Sequence, residues 1–149
     1  MGIPFHDVES TIMRHLEDKQ ATGEALEDVN INFPGYPYKT KGLEHWCVPN
    51  VEENRDPYSR QMQGDGTLLV LIYVQLTTMK RFERGRLCEL FSSVLKETTL
   101  TIKDYESGNG SNELGKVRFR VGTFGQLPEP EDGLYIGDLT IPFSVTGGT

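Results

Sequence analysis

Seven consecutive apolar residues, Leu68 to Val74, constrain this chain more than any other feature. The run falls far short of the roughly eighteen residues a membrane span requires, and it has the length of a strand. Its β-branched and aromatic members (Val70, Ile72, Tyr73, Val74) favour the same assignment. A strand with one wet face alternates polar and apolar residues, whereas a strand covered on both sides does not. Thr67–Thr77 is therefore predicted to be a central strand. A helix on one face and a neighbouring subunit on the other would supply the cover.

Two amphipathic segments can provide helices. In Phe5–Ala21 the residues Phe5, Val8, Ile12 and Leu16 recur at helical spacing, with Asp7, Glu9, Arg14, Glu17 and Asp18 on the other side. Pro4 suits the start, acidic Asp7 and Glu9 suit the positive end of the helix dipole, and Gly23 marks a stop. Met79–Lys96 repeats the pattern through Leu87, Leu90, Phe91, Val94 and Leu95.

The remaining segments read as strands. Asp28–Phe33 alternates, pointing Val29, Ile31 and Phe33 inward, and Pro34-Gly35-Tyr36-Pro37 ends it. Leu43–Val51 is a second strand, interrupted at Pro49. Thr98–Tyr105, Lys116–Thr123 and Leu134–Val145 follow, separated by the Gly- and Asn-rich turn at 107–111 and by the Pro-Glu-Pro-Glu-Asp-Gly segment at 128–133. Strands in runs, punctuated by two helices, predict an α+β fold: a mixed, largely antiparallel sheet with two helices packed on one face. The 149 residues suit a single domain.

Chemistry is sparse. There is no P-loop, no dinucleotide fingerprint, no nucleophile elbow and no His-Glu-x-x-His. His45 and Cys47 share a strand face, but two ligands do not make a metal site. The acidic residues Glu52, Glu53, Asp56, Glu129, Glu131 and Asp132 fall in loops, as solvated charge does. Cys47 and Cys88 are expected to be free, buried thiols. Neither an enzyme nor a bound cofactor or metal is expected. A net charge of −7 and a pI near 5.0 argue against gripping nucleic acid through the outer surface. No signal peptide or membrane segment is expected.

Two features stand out. Lys116, Arg118 and Arg120 alternate with Val117, Phe119 and Val121, which places three cations in one row. They are either a solvated face that blunts a sheet edge or an electrostatic contact, to an acidic surface on a neighbouring chain or, as the lesser alternative, to DNA. The polar stretch at 52–65, carrying Arg55, Tyr58 and Arg60, reads as a mobile excursion between strands, either a bare loop or an arm that orders on assembly.

Taken together the segments resemble the tail-terminator (tail-completion) proteins of tailed phages. The resemblance covers most of the chain. It runs from the amphipathic helix and the strand ending at Phe33-Pro34, through the Pro-rich crossover and the excursion closing at Gly64-Asp65-Gly66. It continues with the long apolar strand Leu68–Leu76, leading into a helix near Met79, and with the closing segment Gly133–Val145. The resemblance implies a virion structural protein that forms a homohexameric ring. The ring caps the tail tube protein, ends tail polymerisation and presents a surface to the head-completion or connector protein. DNA would pass through without specific binding, and the chain would reside in the host cytoplasm during assembly and in the virion tail or neck thereafter. Another neck or head–tail joining protein, or a small monomeric ligand-binding domain, are the alternatives.

Overall fold

The computed structural model describes residues 3–53, 64–78, 80 and 82–147. It is an α+β fold: one six-stranded, largely antiparallel sheet with two helices packed on one face. The strands are β1 (His45–Glu53), β2 (Gly64–Gln75), β3 (Thr99–Lys103), β4 (Glu113–Phe119), β5 (Thr123–Gln126) and β6 (Leu134–Gly147); the helices are α1 (Phe5–Asp18) and α2 (Glu83–Leu95). The sheet order is β1-β2-β6-β4-β3, with β5 also on β6.

β2 lies where the apolar run predicts, between β1 and β6. Its Leu68, Val70, Ile72 and Val74 are fully enclosed beneath the helices. They join Val8, Ile12 and Leu16 of α1 and Leu87, Phe91 and Leu95 of α2 in one core. Its other face, Thr67, Leu69, Leu71, Tyr73 and Gln75, is only half-buried. The helical cover expected on one side is present, and among the described residues no second layer lies over the other side.

Two prolines explain the sheet's irregularities. Pro49 sits inside an unbroken β1, paired with Val70. Cys47 turns its backbone N–H and C=O away from β2, to Asn30 and Asn32. Pro49, two residues on, has the same orientation, so its missing N–H costs no β1–β2 bond. Pro142 stands in central β6, where its carbonyl accepts the Arg120 N–H at 2.8 Å. Its imide nitrogen faces the same neighbour, and there the ladder is broken. Phe119 opposes Phe143 while Thr123 opposes Thr140, so four steps along one strand face three along the other. This is a β-bulge at 120–122. The expected single strand Lys116–Thr123 is thereby split into β4 and β5.

Other boundaries also differ. Residues 28–33 do not form a strand; Ile31 makes one parallel bridge to Cys47, with Val29 buried and Ile31 and Phe33 partly so. α1 ends at Asp18 because the chain folds back, with the Leu26 N–H on the Lys19 carbonyl and Leu26 buried. Leu76–Thr78 is a 3-10 turn, and α2 starts only at Glu83. Asp7, expected on the polar side of α1, is fully buried. Glu52 and Glu53 end β1, and Gly64 and Asp65 begin β2, so the expected 52–65 excursion is shorter; residues 54–63 lie outside those described. Among the described residues no helix is long and apolar enough to cross a membrane.

Candidate interaction surface

Register defines the sheet face opposite the helices. Leu69, Leu71 and Tyr73 of β2 lie beside Asn50, Val48 and Trp46 of β1 and beside Thr140, Asp138 and Ile136 of β6. Cross-strand partners share a face, so these side chains form one surface. Its centre is apolar: Val48, Leu69, Leu71, Tyr73 and Ile136 are all half-buried with no second layer over them among the described residues. One corner is closed. Trp46 is buried, stacks on Tyr73 with ring centroids 5.7 Å apart, and donates its indole N–H to the Tyr38 hydroxyl at 3.1 Å. Burial there pushes the Tyr73 phenol up, with the Tyr38 phenol adding to the shift.

The same face changes character toward β3 and β4. Arg118 opposes Ser144 on one side and Thr99 on the other, and Lys116 opposes Thr146 and Thr101. Both cations are exposed while Val117 and Phe119 are buried, as the alternation predicts. The Lys116 ammonium donates to the Thr101 hydroxyl at 3.4 Å, and neither cation forms an ion pair among the described residues. Arg120 departs from the expected row. It is exposed but lies past the end of β4, in the bulge, and Val121 is 64% exposed instead of facing inward. The bulge breaks the two-residue period on which the row depended.

Arg55, Tyr58 and Arg60 lie outside the described residues. Asp65, at the described end of the 52–65 stretch, pairs with Ser144 of β6, which pairs on its other side with Arg118 of β4. The apolar members of the surface were not singled out from the sequence. Their signal was the two-faced apolar character of β2, which cannot distinguish an inner from an outer face.

The opposite end of β6 carries a projecting hairpin. Glu131 and Leu134 exchange both backbone hydrogen bonds around Asp132-Gly133, whose φ values are 52° and 75°. This is the left-handed two-residue turn that Asp-Gly favours. Leu127 donates its N–H to the Ile136 carbonyl, so Pro128, Glu129 and Pro130 stand opposite Tyr135 alone and are pushed outward. Arg84 of α2 fastens the base, donating from Nη1 to the carbonyls of Leu127 (3.1 Å) and Ile136 (2.9 Å) and lying 5.1 Å from the Tyr135 ring. Every residue from 127 to 133 is exposed.

The titratable groups with displaced pKa values are engaged structurally. Burial alone would push the Asp7 carboxyl up, but hydrogen bonds from the Ser107 hydroxyl (2.6 Å) and the N–H groups of Glu106 (2.8 Å) and Ser107 (3.1 Å) hold it below its ordinary value. Asp104 is lowered first by the Asn112 N–H across its hairpin. Burial lowers His45, whose Nε2 accepts the Asn30 N–H at 3.1 Å. Burial raises both Cys47 and Cys88, which are free and buried. His45 and Cys47 do share a face of β1, and among the described residues no three His, Cys, Asp or Glu side chains gather as metal ligands.

Neither a protein-family profile nor a curated protein matches this chain. Solved structures do match. One of them, whose name states no function, superimposes over 99% of each chain with a TM-score of 0.69 at 14% identity. A likeness at that identity establishes a shared fold.

Proposed function

We propose that this chain is a non-enzymatic virion assembly protein, a phage tail terminator. It works by associating with copies of itself into a ring and docking onto the tail tube and the head-completion or connector protein. The observation that carries this reading is the open sheet face: a central strand with Leu69, Leu71 and Tyr73 turned outward has the composition of a surface awaiting a second layer. A structural role is in keeping with Asp7 and Asp104, which hold turns, and with His45, which packs against Asn30. The resemblance of the element order to tail terminators supplies the particular role, and with it residence in the virion tail or neck. A net charge of −7 suits a DNA conduit, since like charge repels the passing phosphates.

Imaging and light scattering of the purified protein, followed by incubation with uncapped tail tubes, test the reading. Rings that bind tube ends and stop their growth are expected. A chain that binds only the portal complex, or remains a 16.8 kDa monomer at every concentration and on tubes, sinks it.

A further inference from the structure

The two ends of β6 carry opposite charge. Its N-terminal end emerges from the hairpin bearing Glu129, Glu131 and Asp132, all exposed. Its C-terminal end pairs with the part of β4 that bears Lys116 and Arg118, exposed and without ion pairs among the described residues. Ten residue steps separate Leu134 from Ser144, the partner of Arg118, about 33 Å of strand. The hairpin cannot reach the cations of its own chain. The matching extends beyond charge. Leu127, Pro128 and Pro130 give the hairpin an exposed apolar side, and the same sheet face carries Leu69 and Leu71, opposite Thr140 and Asp138 of β6, four and six residues along that strand from Ser144, the partner of Arg118.

We propose that the 127–133 hairpin of one copy docks on the open sheet face of the next, with Glu129 and Glu131 meeting Lys116 and Arg118. This deepens the ring reading and rests on it. Donor and acceptor surfaces are different parts of the chain, so one-way docking of hairpin on face is a heterologous contact. Such a contact propagates head to tail and closes into a ring when its rotation permits. Reciprocal docking of the same two surfaces would instead close a two-fold dimer, and the mass of the wild-type assembly distinguishes the two. The hairpin is built for insertion: two prolines, a tight Asp-Gly turn and the Arg84 clamp hold it in shape, which lowers the ordering cost of docking.

Charge reversal on each side gives the test. One variant carries Glu129→Lys with Glu131→Lys, and the other Lys116→Glu with Arg118→Glu. All four positions are exposed, so thermal unfolding should match wild type. Each variant alone opposes like charge to like charge, and its self-association should weaken tenfold or more by light scattering. Mixed together they restore both contacts, so assemblies of alternating composition should appear by native mass spectrometry. Wild type that assembles while the mixture stays dissociated, or single variants that assemble unimpaired, overturns the hairpin contact and leaves the ring reading standing. Wild type that is monomeric at every concentration overturns both.

Discussion

The Asp7 carboxylate, in the first turn of α1, accepts the hydroxyl of Ser107 in the β3–β4 hairpin at 2.6 Å. One residue near the start of the chain is thereby tied to a turn 100 positions away, and the side chain of a charged residue becomes a structural pin. Removing it should loosen the edge of the fold. Asp7→Ala strands two backbone N–H groups and a hydroxyl, and should cost about 2 kcal/mol. Urea unfolding would register this as a lower midpoint at unchanged slope.

The same pin makes stability depend on acid. Asp7 has a folded-state pKa below its ordinary value of 3.8, so its contribution is fully present above that value. It is lost as pH falls from 3.8 through the lower folded-state value. Asp104 is shifted in the same direction and adds to the same loss. Asp7→Asn should flatten the acid limb of a stability–pH curve, and an unchanged limb would exclude Asp7 as its source.

His45 should act in a higher window. Its folded-state pKa is lowered from 6.5 by burial, so the unfolded chain binds the proton more readily. Stability is complete above 6.5 and declines as pH drops toward the folded-state value. The imidazole carbon resonances of His45 should titrate with a midpoint below 6.5, and a midpoint at or above it would contradict the buried acceptor role toward Asn30.

Trp46 is the chain's one tryptophan and reports on the closed corner of the open face. Tyr38→Phe removes the acceptor of its indole N–H and should cost about 1 kcal/mol. A red shift of the emission should accompany that loss. Identical emission from wild type and variant would mean the indole bond is not made in solution.

Leu71 separates the fold from its assembly. It is half-buried on the open face and paired with Asp138, so Leu71→Lys gains a cross-strand partner of opposite charge. Thermal stability should change little while self-association weakens at least tenfold by light scattering. Unaltered association would remove this face from the interface.

Gly66 illustrates a constraint of contact instead of conformation. A Cβ there would fall on the Phe143 ring and within 2.8 Å of the Glu52 carbonyl oxygen. Gly66→Ala should destabilise by about 2 kcal/mol, measured as a shift in the urea midpoint. A neutral result would mean that the two strands can separate locally at no cost.

Much of this architecture was legible along the chain because it is local. The helical spacing of Val8, Ile12 and Leu16 located α1, the unbroken apolar run located β2, and the alternation of Lys116 to Phe119 correctly assigned inner and outer residues of β4. Periodicity reports element type and sidedness because backbone geometry repeats every 3.6 or every two residues. It could not report what depends on partners distant in sequence. Asp7 reads as a surface charge until the 106–107 turn encloses it, and Arg120 reads as part of a row until Pro142, across the sheet, breaks the ladder. The apolar run Leu68–Val74 divides in the same way. Its residues by themselves determined a central strand, since seven apolar side chains in succession leave no wet face in the pattern. Only the tertiary structure decided that the helices cover Leu68, Val70, Ile72 and Val74 and leave Leu69, Leu71 and Tyr73 open, because both helices must bury their apolar stripes against one continuous core.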